Sequence, residues 1–248
     1  MKDKKRGNSD YKDRIDLLKK HIETFDKSTI ECVLGDREFI GKNWIEWLNQ
    51  QQIPYVLRMK EKGQYIGKRK GKMVKAASLF KALTIGQVRY IGNRKIGKTD
   101  SYQSHISALK TTNNQLVVLL HSPQIQQPCQ LYRRRWEIEL LFKVLKTSGF
   151  NLEDTHITHE DRLETLLAIV SISYCFAYRT GTYCLKHSPP KLKKHGYKHL
   201  NTVRLSLDLI IDICRGNFSN KRSCYYKKHN RLLLDIQEFM MNLKLFVV

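Results

Sequence analysis

The chain has 248 residues, with 45 Lys and Arg against 23 Asp and Glu, a formal net charge of +22. A field of that sign favours polyanions, nucleic acid ahead of anionic membrane, and 41% hydrophobic content is enough for a core in one large domain or two small ones. The longest apolar run, Leu166–Tyr178, is too short for a helix that spans a bilayer, which makes membrane the weaker choice.

The opening "MKDKKRGNSD" is charged and has no apolar core of a signal peptide. Cys32, Cys129, Cys175, Cys184, Cys214 and Cys224 lie far apart with no CxxC pair, so they read as reduced, buried or inert thiols of a cytoplasmic protein. Residues 10–26 place Ile15, Leu17, Leu18 and Ile22 at helical spacing and predict an amphipathic helix. "TIECVLGD" predicts a short buried strand ending at Gly35 and Asp36, followed by a helix from Lys42 and a second strand, "IPYVLRMK", opened by Pro54. Strand, helix, strand is a crossover unit that makes a parallel pair, with Asp36 at the carboxyl end of its first strand, where open α/β sheets place their chemistry.

From Glu61 to Ser122 the pattern changes to short β pieces, among them "GQVRYIG", "SHISALK" and "QLVVLLH"; the last two flank "TTNN" as a hairpin. "SPQIQQP" closes this β-rich stretch. A helix is predicted from Cys129, and further helices at Asp161–Tyr178 and Val203–Cys214, with basic connectors "HSPPKLKKHGYKH" and "NKRSCYYKKHNR". The latter mixes cations with two tyrosines, a composition suited to tracking a nucleic-acid backbone or to a plain solvated loop.

The segment "LYRRRWEIELLFKVLKTSGF", Leu131–Phe150, concentrates the chemistry. Wound at about 100° per residue, it puts Tyr132, Arg135, Glu139, Lys143 and Lys146 on one face. Ile138, Leu140, Leu141, Phe142, Val144 and Leu145 form an apolar stripe on the other. A carboxylate among cations reads either as a solvated helix face with i,i+4 pairing or as a metal ligand with phosphate-binding neighbours. Asp36 has the same two readings: a helix cap or turn residue, or a second metal ligand. His156 with His159, or His195 with His199, have metal-compatible spacing but no third ligand in register, which argues against zinc. The absence of a Gly-rich Walker loop argues against NTP hydrolysis. Trp44 and Trp47, spaced i,i+3, are expected to pack their helix on the sheet.

The order Tyr132, Arg135, Glu139, Lys146, together with "GDREF" at Gly35–Phe39 and the following "WIEWL", resembles the insertion sequence 4 family of bacterial DDE transposases over residues 10–180. The resemblance implies an α/β, α+β overall, ribonuclease-H-like core with a β-rich insertion and a helical C-terminal region. Its domains would be 1–60, the downstream half of the core sheet; 61–127, the insertion; 128–185, core helices with the catalytic Glu; and 186–248, a basic helical region. It also implies a bacterial, nucleoid-associated protein that cuts and joins double-stranded transposon ends with Mg2+, Mn2+ serving as a substitute, and that acts on DNA as a homodimer. Asp36 and Glu139 would be its catalytic, metal-binding carboxylates, and Tyr132, Arg135 and Lys146 its DNA contacts. An aromatic that stacks on a flipped base would have to be Tyr65, Phe80, Tyr90 or Tyr102, since the tryptophans lie outside the insertion. The family's first aspartate has no counterpart on an apolar strand, for Asp3, Asp10, Asp13 and Asp16 sit in a charged lead-in and a helix. The chain is therefore expected to be the downstream part of a transposase, from a split frame, an internal start or a decayed element, and inactive alone. The alternative is a non-catalytic DNA-binding fragment that occupies transposon ends or inhibits the full-length enzyme.

Overall fold

The computed structural model describes residues 10–60, 64–68, 71–147, 150–187 and 202–214. The described residues up to Glu137 and those from Ile138 onward form two compact units.

The first unit begins with α1 (Tyr11–Phe25). Asp10 starts it: its carboxylate accepts from the backbone N–H of Lys12 at 2.7 Å and Asp13 at 3.0 Å, and the Asp13 carboxylate accepts from Asp10 N–H. This reciprocal cap satisfies N–H groups the helix cannot, and Ile15, Leu18 and Ile22 then face the core as the sequence spacing predicts. The expected crossover follows as β1 (Val33–Gly35), a 3-10 turn at 37–39, α2 (Lys42–Gln50) and β2 (Tyr55–Met59). β1 and β2 are parallel, with Val33 opposite Tyr55, Leu34 opposite Val56 and Gly35 opposite Leu57.

The remaining strands are β3 (Tyr65–Gly67), β4 (Met73–Lys75), β5 (Val88–Ile96), β6 (Tyr102–Lys110) and β7 (Leu116–His121), with the short α3 (Ala76–Leu79) after β4 and α4 (Pro128–Arg133) after β7. They join the crossover in one seven-stranded sheet ordered β1-β2-β7-β6-β5-β3-β4. All pairs except β1–β2 are antiparallel. The β6–β7 connection is the hairpin expected at "TTNN", with Asn114 in the left-handed region at φ 61°.

Side chains alternate across a strand, so the sheet buries two different faces. One carries Leu57, Met59, Ile106, Ala108, Val118 and Leu120 under α1 and α2, where Trp44, Ile45 and Leu48 are buried. The other carries Val56, Val117 and Leu119 against Cys129, Leu131 and Tyr132 of α4. His121 ends β7 buried but satisfied: Nδ1 lies 3.0 Å from the Ser122 carbonyl and so carries the proton, which leaves Nε2 to accept from the Ser107 hydroxyl at 2.8 Å. Burial raises the thiols of Cys32 and Cys129 to about 11, so both are inert, as expected of reduced core cysteines.

The second unit contains α5 (Glu137–Thr147) from Ile138 onward, α6 (Glu160–His187) and α7 (Thr202–Cys214). Val144, Ala177 and Val203 form its core, with Phe150, Tyr174, Leu207 and Ile210 around them. α6 and α7 approach closely at Gly181, where any side chain would run into the Ser206 hydroxyl and the Thr202 carbonyl. The apolar stripe predicted for α5 is only partly packed: Val144 and Leu145 are buried, whereas Ile138, Leu140 and Phe142 are 48%, 50% and 53% exposed. Six apolar residues between 138 and 145 span more arc than one neighbour covers. No helix among the described residues is long and apolar enough to cross a membrane. "NKRSCYYKKHNR" and most of "HSPPKLKKHGYKH" lie outside the described residues.

The tightest point of the crossover is Gly35. A Cβ there would sit 2.6 Å from Leu57 Cδ2 and 2.8 Å from Phe39 Cβ, so Gly35→Ala must push the 3-10 turn off the sheet. Overpacking of this kind costs about 1–3 kcal/mol. A denaturant midpoint lowered to match is expected, and an unchanged midpoint would show that the turn yields freely.

Candidate active site

β1 stops at Gly35, and Asp36 follows with extended backbone, φ −83° and ψ −175°. Its Oδ1 accepts the Arg37 N–H at 2.7 Å and caps the 3-10 turn. The capping reading of Asp36 is thus correct, and it occupies only one carboxylate oxygen. Because Gly35 lies opposite Leu57, the next position on each chain pairs Asp36 with Arg58. The two side chains, with Arg37, Glu38, Ile40 and Lys60, line one polar depression at the end of β1 and β2.

Tyr132 reaches the same place from α4. It packs on Val56, Val117 and Leu119, and its hydroxyl is buried without a well-formed hydrogen bond among the described residues. Burial pushes its phenol above the ordinary value; the Asp36 carboxylate pushes the same way, and Arg135 and Arg58 oppose it. The guanidinium of Arg135 lies 6.0 Å from the Tyr132 ring centre. Three of the residues selected from sequence, Asp36, Tyr132 and Arg135, are therefore neighbours in the first unit.

Glu139 and Lys146 lie on α5 in the second unit. Glu139 is half-buried, and Lys146 Nζ is bound by Glu153 Oε1 at 2.7 Å. The helix predicted to run unbroken from Cys129 is interrupted. α4 ends at Arg133, Arg134–Trp136 form a 3-10 turn, and α5 starts at Glu137. A 3-10 turn advances about 120° per residue rather than 100°, so the single face drawn through Tyr132, Arg135, Glu139 and Lys146 is rotated at its middle. The turn coincides with an ion pair between Arg134 and Glu31 at 3.0 Å, a contact no local periodicity reveals.

Sequence reasoning missed Arg58 and Lys60. The available signal was an arginine inside the otherwise apolar "YVLRM". A cation in a mostly buried strand is costly unless it has a partner or a ligand.

The family model of the transposase DDE domain matches residues 9–176. The chain belongs to this family. The match covers the crossover, the antiparallel strands and the whole Tyr132–Lys146 segment, and its domain is ribonuclease-H-like, in agreement with the mixed α/β sheet. No curated protein matches the chain. DDE transposases bind DNA and use divalent metal ions. Asp36 keeps a carboxylate oxygen beyond its cap, a donor of the kind magnesium takes together with water and substrate oxygens. Among the described residues no three of His, Cys, Asp or Glu are grouped closely enough to hold a metal ion.

The grouping of Asp36, Tyr132 and Arg135 has a spectroscopic consequence. With ring-labelled tyrosine followed by NMR, Asp36→Asn lowers the pKa of Tyr132 and Arg135→Ala raises it. A Tyr132 titration indifferent to Asp36→Asn would remove Asp36 from this cluster.

Proposed function

We propose that the chain is a transposase of the insertion sequence 4 type that cuts and joins the double-stranded ends of its element. The observation that carries this reading is the cluster of Asp36, Arg58, Tyr132 and Arg135 within the matched DDE domain. Asp36 and Glu139 act as the metal-binding carboxylates, with Mg2+ as the natural ion and Mn2+ as a substitute. When bound, such ions activate the attacking oxygen and stabilise the leaving oxygen of a phosphodiester.

The protein's own groups supply position and charge. Arg135 and Arg58 offer cations to the phosphate beside Asp36 and offset the repulsion between a carboxylate and DNA. The Tyr132 hydroxyl, which burial keeps protonated, donates a hydrogen bond to a phosphate oxygen. Lys146 exchanges Glu153 for a phosphate when DNA arrives, and two subunits pair on the two ends.

The second reading is a DNA-binding fragment that occupies ends or inhibits the active enzyme. The charge of +22 favours it, since cation excess binds DNA without any carboxylate.

One experiment separates the two. Duplexes from the borders of the encoding element are incubated with the chain and with Mg2+, Mn2+ or neither. The transposase reading expects cleavage that depends on Mg2+ or Mn2+ and is abolished by Glu139→Gln. Lys146→Ala is expected to leave metal binding intact and weaken end binding. Tight binding without cleavage in every combination supports the fragment reading, and cleavage that survives Glu139→Gln contradicts the assignment of Glu139.

A further inference from the structure

Asp36 stands at the start of a turn too short to hold itself. Residues 37–39 make a single 3-10 turn, fastened by the Asp36 side chain and by the backbone bond from Phe39 N–H to the Asp36 carbonyl at 2.9 Å. Carbonyls at the end of a helical turn find no donor within it. The Glu38 carbonyl takes its donor from another element: Arg14 of α1, whose Nη2 lies 3.1 Å away. The same guanidinium lies 4.5 Å from the centre of the Phe39 ring, and Phe39 closes over Gly35, the residue before Asp36. Both contacts therefore bear on the backbone that carries Asp36.

Arg14 differs from the residues that follow it on its helix. α1 meets the core through Ile15, Leu18 and Ile22, whereas Arg14 sends a charged fork to a turn 24 residues further along the chain. An arginine suits the place better than a lysine, because its planar fork donates along the edge and stacks on a ring with the face. Burial lowers its pKa, and the carboxylates of Asp10, Glu38 and Asp13 act the other way. The group stays charged.

We propose that Arg14 is a positioning residue of the candidate site: by bracing the 37–39 turn from α1, it holds the Asp36 carboxylate in the depression that Asp36 shares with Arg58 and Lys60. Arg14 acts through Asp36. The use of that carboxylate as a metal ligand rests on the function proposed above, and the brace itself does not. A group that orients a ligand carboxylate from outside typically governs metal affinity by tenfold or more.

Two measurements on the full chain separate the brace from its use. Amide hydrogen exchange, without metal or DNA, reads the turn directly, because the Arg37 N–H is held by Asp36 Oδ1 at 2.7 Å and the Phe39 N–H by the Asp36 carbonyl. Arg14→Met keeps an apolar stem and removes the fork. It is expected to speed exchange at Arg37 and Phe39 about tenfold, the loss of one hydrogen bond from a charged group, while the ladder amides of β6 and β7 keep their protection; Arg14→Lys restores much of it. Equal acceleration at turn and ladder would make Arg14 a stabiliser of the fold alone, and no acceleration at the turn would mean no brace. Either result overturns the proposal. Mn2+ affinity in the presence of duplex DNA, read from water-proton relaxation, then reports the use of the brace. Arg14→Met is expected to weaken it roughly tenfold and to add nothing in an Asp36→Asn background. Removing a cation would by its charge alone favour Mn2+, so weaker binding has to come from the carboxylate's position. Binding that falls with Asp36→Asn but not with Arg14→Met overturns the proposal. Binding indifferent to both, with selective exchange at the turn, upholds the brace and overturns only the metal reading of Asp36.

Discussion

The parallel pairing of β1 with β2 is the constraint on which the candidate site depends. Two strands of three and five residues are held in one register because Gly35 lets Leu57 and Phe39 close over it. That register decides which side chains emerge together at the strand ends. Alternation continues Leu34 to Asp36 and Val56 to Arg58 on the face that α4 covers, and Tyr132 comes down on that face through its contact with Val56. A one-residue slip would exchange the faces. Asp36 would then lie toward α1 and α2, away from every cation of the Tyr132–Arg135 segment.

Much of this was legible in the sequence where the signal is local. The helical spacing of Ile15, Leu18 and Ile22, the apolar strands around Gly35 and Pro54, and the hairpin at "TTNN" all correspond to elements at those places. The Asp36, Tyr132 and Arg135 cluster was suggested by motif order, and the fold brings these three into one neighbourhood. What was not legible is non-local. Arg58 matters because of the residue beside it on another strand, and the break at Arg134 accompanies an ion pair with Glu31, 103 residues earlier. β3, β4 and α3 are each three or four residues long, too short for any period to show. The exposed side of α5 was hidden for the opposite reason: its apolar stripe is broad, so periodicity cannot say which part of it is buried.

The two faces of the sheet handle charge differently. Toward α4, the Asp36 carboxylate is set among arginines, and the opposite charges offset one another. Toward α2, Lys42 and Lys98 line a second depression, with Asp100 as the sole carboxylate in its wall. Both rest on short loops that follow a glycine, Gly35 and Gly97, where the backbone comes too close for any larger residue.

The central proposal is that Asp36, placed by the β1–β2 register, and Glu139 serve as metal ligands. The most direct measurement is electron paramagnetic resonance of Mn2+ titrated into the full chain in the presence of duplex DNA. Bound Mn2+ is expected in the unaltered protein and is expected to fall with both Asp36→Asn and Glu139→Gln, since each removes one carboxylate from the same ion set. Mn2+ binding that is unaffected by Asp36→Asn would contradict the account and leave Asp36 as the cap of its turn alone.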